Sequence, residues 1–145
     1  MATKEERELL AATFDHHANE EGKILAQYRT LSEQLGTSAA GTLVSHILTE
    51  EELHHLLLHT MAKWLREPSA GPDRAVPPGA NRAELLRVTR TLRQHEQETI
   101  DACRRLKSQL SDPSADLLVT LLDAMMLDSE KHHRLLEAAE KLIEV

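Results

Sequence analysis

Apolar residues recur along this chain at alternating steps of three and four, the spacing of one face of an α-helix. In the first long stretch the stripe runs Leu10, Phe14, His17, Glu21, Ile24, Tyr28, Leu31 and Leu35. A later stretch carries Leu85, Thr89, Leu92, Glu96, Thr99, Cys103, Leu106 and Leu110. Punctuation between the stripes divides the chain into four helices. Thr3 and Glu6 have capping-box spacing at the start of the first helix, and Gly36 is a natural stop. The second helix starts at Thr37 or Ser38 and runs to about Arg66, ahead of Pro68. Asn81 and Glu84 repeat the box at the start of the third, which reaches about Leu110. Asp112 and Pro113 are the N-cap and first-turn pair of the fourth, which continues towards Val145.

Pro68, Pro72, Pro77, Pro78, Gly71 and Gly79 crowd the interval between the second and third helices, so residues 67–81 read as a connection. The two short turns make helices one and two, and three and four, antiparallel neighbours. A connection of roughly 14 residues spans about 45 Å when extended, the length of a 30-residue helix. The pattern therefore predicts an all-α fold: a four-helix bundle of two antiparallel pairs joined by a long crossover, one domain over residues 1–145.

The stripes contain acid. Glu21 interrupts the first and Glu96 the third, each 14 residues before the closing leucine. The second helix reads Glu52-Leu53-His54-His55 and the fourth Glu130-Lys131-His132-His133. Glu-x-x-His places a carboxylate and an imidazole one turn apart on one face. Glu51 with His54 offers the same spacing, but Ser129 stands at the matching place in the fourth helix, so only the Glu52/His55 pattern repeats. Counted from the turns, Glu21 and Glu52 fall at one level. Glu96 and Glu130 differ by two or three residues, which the turn over 111–114 can absorb.

Composition narrows the chemistry. The chain has 145 residues with 17 Lys+Arg against 24 Asp+Glu, a net charge of −7, which disfavours nucleic acid as a partner. Phe14, Tyr28 and Trp64 are its three aromatics, too few for a sheet protein. Cys103 is the single cysteine, so no CxxC motif and no internal disulfide exist. The first residues show no apolar signal region and no stretch is long enough to span a bilayer, so a soluble cytoplasmic protein is expected.

Four carboxylates converging in an apolar interior repel one another and cost several kcal/mol each to desolvate unpaired. Two divalent cations neutralise them completely, and neutral imidazoles complete the coordination. Oxygen and nitrogen donors suit iron or manganese, whereas thiolates mark structural zinc. One glutamate from each of two helices, plus Glu-x-x-His from each of the other two, resembles the ferritin-like di-iron carboxylate superfamily, bacterioferritins and rubrerythrins among them. Here the set is Glu21, Glu96, Glu52 with His55, and Glu130 with His133. Tyr28 resembles the tyrosine that bacterioferritins place beside the site, and the run from Asp128 to Glu137 is similar to the rubrerythrin motif.

That resemblance implies a ferritin-like bundle holding two iron ions, with manganese or a mixed Fe/Mn pair as the other options. It implies O2 or H2O2 as substrate, an external electron donor, and a ferroxidase- or peroxidase-type oxidoreductase acting through Glu21, Glu52, Glu96, Glu130 and Tyr28. Glu21 and Glu130, or Glu52 and Glu96, are the candidates to bridge the ions. A homo-oligomer, at least a dimer, is expected, with no membrane partner. The chain departs from rubrerythrins where Thr99 replaces a further glutamate, and its one cysteine excludes an appended rubredoxin domain.

His17, His59 and His95 lie near the site and read first as ordinary hydrogen-bonded histidines. Arg87, Arg90 and Arg93 read as a solvated row, and Met125 and Met126 as packing. His17-x-x-x-Glu21, His46-x-x-x-Glu50 and His55-x-x-x-His59 give footing to a hemerythrin-like O2-binding bundle as the alternative. A metal-free helical interaction module is the remaining reading.

Overall fold

The computed structural model describes residues 2–68 and 76–144. Four helices follow in order: α1 (Lys4–Leu35), α2 (Ala39–Arg66), α3 (Arg82–Ser108) and α4 (Asp116–Glu144), with no strand among the described residues. The chain divides into two compact units, Met1–Arg74 and Ala75–Val145. In the first α1 packs on α2, and in the second α3 packs on α4. Each unit is thus an antiparallel helical hairpin. The middle of the expected crossover, residues 69–75, lies outside the described residues. No helix among those described is long and apolar enough to cross a membrane.

Helix starts follow the sequence signals closely. The Thr3 hydroxyl accepts from the Glu6 amide at 3.1 Å, while the Glu6 carboxylate accepts from the Thr3 amide at 2.7 Å. Ser38 caps α2 by accepting from the Gly41 amide at 3.1 Å, and Asn81 caps α3 by accepting from the Glu84 amide at 3.2 Å. Each cap satisfies an amide that the helix itself cannot. Asp112 and Pro113 open a 3-10 turn, Pro113–Ala115, before α4 begins at Asp116.

The two turns are built differently. Gly36 ends α1 with φ +57°, a conformation that favours glycine. Gly41 then passes so close beneath it that a Cβ there would collide with the Gly36 carbonyl oxygen. The α3–α4 turn needs no such approach, since its 3-10 step lengthens the path.

Inside each hairpin the shielded positions form a heptad seam displaced by one residue from the sequence stripe at every second position. Along α1 they include Ala11, Ala18 and Leu25, where Leu10, His17 and Ile24 were expected. Along α3 they include Thr89, Glu96, Ile100 and Cys103. Leu10, Ile24, Leu31, Leu92 and Leu106 lie instead on an exposed apolar flank. A helix with a broad apolar face has room for both a seam and a flank. Burying Leu25 or Ile100 stabilises its hairpin by about 1.5–3 kcal/mol.

Cross-helix contacts show that the hairpins repeat one frame. Asp15 meets Arg66 at 2.5 Å, and Arg90 meets Glu144 at 3.1 Å. Ser32 hydrogen-bonds Ser45 at 3.0 Å, and Lys107 meets Asp123 at 2.7 Å. In both comparisons residue numbers differ by 75 between α1 and α3 and by 78 between α2 and α4. Glu21 therefore corresponds to Glu96, Glu51 to Ser129, Glu52 to Glu130, and His55 to His133.

Candidate functional site

In the α1–α2 hairpin the seam brings two carboxylates together. Leu48, Glu51, His55, Leu58, Ala62 and Leu65 follow at steps of three and four on the shielded side of α2. The Glu51 side chain hydrogen-bonds that of Glu21, across the seam. This hydrogen bond, then burial, then repulsion from the Glu21 charge hold the Glu51 carboxyl above the ordinary range. Beside a second carboxylate, a carboxyl gives up its proton less readily than it would alone.

The same place leaves polar atoms without partners. Glu21 Oε2 and His55 Nδ1 are both buried and make no hydrogen bond. His55 lies over Gly22, where a Cβ would sit 3.6 Å from its Cε1. Its ring meets His59 edge-on, with centroids 4.9 Å apart and planes at 89°. His59 Nδ1 lies 3.3 Å from Asp15, whose carboxylate also accepts from Arg66. Arg66 pairs in turn with Glu8 at 3.0 Å. The hydrogen bond from Arg66 is the main cause that lowers the Asp15 pKa.

Glu52, expected beside Glu21, projects elsewhere. Its side chain is 47% exposed and lies 3.5 Å from Arg29. His54 sits over the neighbouring acids, with Nδ1 3.8 Å from Glu51 and Nε2 4.0 Å from Glu50. Tyr28 is half-buried and lines a shallow depression with Ile24, Gln27 and Leu31. His17 is exposed beside His16, their ring centroids 6.3 Å apart.

The α3–α4 hairpin holds a thinner version. Glu96 is largely shielded in the seam, and His132 Nδ1 lies 3.4 Å from its carboxylate. Ser129 is buried at the position corresponding to Glu51. Glu130 is exposed, as Glu52 is, and shares a surface depression with Gln97, Ile100, His133 and Arg134. His95 lies on the outer face of α3 with Arg90, Gln94 and Glu98. One turn further along, Arg90 and Arg93 both grip Glu140, at 2.6 and 2.8 Å. The hydrogen bond from Arg90 is the main cause that lowers the Glu140 pKa.

Of the six expected ligands, Glu21 and His55 both lie on the seam of one hairpin, and Glu130 and His133 share a depression in the other. Glu51 is the carboxylate that sequence reasoning passed over. Its signal was available: counting three from Leu48 and four back from His55 reaches Glu51 both ways. The duplicated Glu-x-x-His drew attention to Glu52, one position off the seam.

The first of these groups carries donor types that a cation takes, but its three residues do not bring one ligand atom each within 4.8 Å of one another. Glu21, Glu51 and His55 offer carboxylate oxygens and an imidazole nitrogen, donors suited to iron or manganese. Their unpartnered atoms lack the hydrogen bonds that buried polar groups ordinarily have. Comparison with protein-family models, curated proteins and solved structures finds no match for this chain.

Proposed function

We propose that this chain is a metal-binding protein of ferritin-like, di-iron carboxylate type that reacts with O2 or peroxide. The observation that carries the reading is the Glu21–Glu51 carboxylate pair, with Glu21 Oε2 and His55 Nδ1 buried and unpartnered beside it. Helical hairpins have ample intrinsic means to pack their seams with leucine and alanine. Retaining two acids in contact at mid-helix is costly unless something positive joins them. Divalent iron or manganese supplies that charge, together with one-electron exchange with oxygen species.

In this reading Glu21, Glu51 and His55 hold one ion, and Glu96 with Glu130 and His133 serve the other. Glu52, at the place corresponding to Glu130, contributes a further carboxylate from the exposed flank. Within the chain itself, Glu51, whose carboxyl holds its proton above the ordinary range, would give that proton up to bind an ion. His59, fixed by Asp15, holds the His55 ring from the side.

The test is an anaerobic Fe(II) titration with metal analysis, followed by exposure to O2 and separately to H2O2. About two ions per chain and an optical change on oxidation are expected. Protein that retains well under one ion per chain sinks the proposal. A second reading, a helical module that docks on another protein, is favoured by the exposed Leu53, Leu56, Leu57 and Trp64 of α2. That module would bind its partner equally well after chelation.

A further inference from the structure

Away from the seam, α2 is as apolar as it is towards α1. Leu48, Leu58, Ala62 and Leu65 lie on its shielded side. Leu53, Leu56, Leu57 and Trp64 lie away from them, none less than 40% exposed. A helix that is apolar all round is one that something covers.

The common frame of the hairpins shows what is particular to this face. Leu57 and Trp64 correspond to Leu135 and Leu142 of α4, but Leu53 and Leu56 correspond to Lys131 and Arg134. Exposed leucine at those two positions therefore belongs to the first hairpin alone.

The order of residues along α2 selects the occupant. Leu53 and Leu57 stand two residues to either side of His55. A second α2 laid antiparallel on the first thus sets Leu53 of each copy against Leu57 of the other. Leu56 of both copies flanks that centre, and Trp64 closes the strip at each end, about 14 Å from the axis. Apolar meets apolar throughout. The same operation on α4 would set Lys131 against Leu135 and bring two Arg134 side chains together, a like-charge contact.

We propose that this chain forms a twofold dimer in which the outer faces of two α2 helices pair antiparallel, Leu53 of one copy against Leu57 of the other. A twofold contact needs a single self-complementary patch, and of the two second helices only α2 carries one. It has 28 residues, so it is about 42 Å long and, with its side chains, 10–12 Å wide. Two such strips face to face bring together roughly 900 Å², the low end of specific interfaces. The dimer therefore dissociates at micromolar concentrations. It is independent of the metal-binding reading above.

Sedimentation velocity of the full chain between about 1 and 200 μM tests the pairing. Wild type is expected to pass from monomer to dimer across that range. Leu53→Lys with Leu56→Arg copies the second hairpin and should raise the dissociation constant at least about thirtyfold. Leu135→Gln on α4 should leave it unchanged. Leu53→Gln with Leu56→Gln is the milder pair, and circular dichroism shows which variants are folded. A spin label at Lys63→Cys, in a Cys103→Ala background, reads the direction without altering the leucines. Its two copies lie about 24 Å apart along the axis of an antiparallel pair, and about 10 Å apart in a parallel one.

A wild type that stays monomeric at every concentration overturns the proposal and leaves the face to another protein or to the rest of the chain itself. A dimer that survives a folded double variant at full strength overturns it too, since the contact then lies elsewhere. Labels at the shorter distance would refute the antiparallel pairing.

Discussion

Laid over one another in their common frame, the two hairpins spend polar residues at different heights. At the level of Ala18 and Ala62, both fully buried in the first hairpin, the second places Arg93 and Glu140, 2.8 Å apart. One turn away, the first hairpin sets Glu21 against Glu51, and the second carries Glu96 and Ser129 at the corresponding positions. Each hairpin therefore tolerates one charged layer in its seam. In the second hairpin that layer is self-neutralising. In the first it is two acids, and their hydrogen bond, then burial, then their repulsion raise the Glu51 pKa. A balanced ion pair in a seam reads as structure, whereas an unbalanced acid pair in the same frame reads as a site.

The contrast is most sharply broken by moving charge into the alanine layer. Ala62→Glu alone places an unpaired carboxylate where there is no solvent, and should cost about 3–5 kcal/mol in urea unfolding. Adding Ala18→Arg copies the arrangement of Arg93 and Glu140, so the double variant should recover part of that loss. A double variant no better than the sum of the singles would mean that the hairpins do not share a frame at this level.

Next in size is the turn. Gly41→Ala forces a methyl group against the Gly36 carbonyl and should destabilise the protein by about 1–3 kcal/mol. The corresponding residue of the second hairpin is Val119, already larger, where the 3-10 step at Pro113–Ala115 lengthens the turn. Val119→Ala should therefore cost less than Gly41→Ala, and by loss of packing rather than by collision. The two denaturation midpoints check the order.

A smaller effect separates the acid pair from the ion pair by the sign of its pH dependence. Glu51 has a raised pKa, so the native state binds its proton more tightly than the unfolded chain does. Its contribution to stability is fully present below the unfolded pKa and is lost as pH rises through the higher native one. Glu140 has a lowered pKa, so its contribution is present above the unfolded value and is lost as pH falls through the lower native one. In the metal-free protein Glu51→Gln should raise the melting temperature by about 2–4 °C at neutral pH. That gain should vanish in acid. Glu140→Gln should instead lower the melting temperature at neutral pH and lose its effect only in stronger acid. Melting curves across pH 3–8 distinguish the two, and the same sign for both variants would refute the assignment.

How far the sequence alone reached follows the same division. Helix number, caps and pairing were legible because Thr3, Ser38, Asn81 and Asp112 act locally, through hydrogen bonds to amides two or three residues on. The seam was only half legible. Glu21, Phe14 and Tyr28 lie where the stripe put them, but Leu10 and Ile24 gave way to Ala11 and Leu25. Small residues let two helices approach closely and carry little hydropathy, so a stripe drawn through the largest side chains drifts towards the exposed flank. The same drift moved attention from Glu51 to Glu52. Repetition of Glu-x-x-His was real, but repetition records common ancestry of a position or chance, and not which side of the helix faces its neighbour.

The smallest effect expected comes from the outermost polar contacts, where the frame is preserved and the charges are inverted. Asp15 with Arg66 in the first hairpin corresponds to Arg90 with Glu144 in the second. Exchanging the first pair to Asp15→Arg with Arg66→Glu should thus be tolerated, but only if Glu8 is changed as well. Glu8 accepts from Arg66 at 3.0 Å and would repel a glutamate in that place, whereas its counterpart in the second hairpin is Ala83. The triple variant Glu8→Ala, Asp15→Arg, Arg66→Glu should melt within about 2 °C of wild type, and Arg66→Glu alone well below it. His59 provides a second readout. It loses the Asp15 acceptor in the triple variant, so the His55 ring is held less firmly and Mn(II) binding should weaken although the fold is retained. A triple variant that melts normally and binds Mn(II) unchanged would confine Asp15 and Arg66 to a structural role and detach His59 from the site.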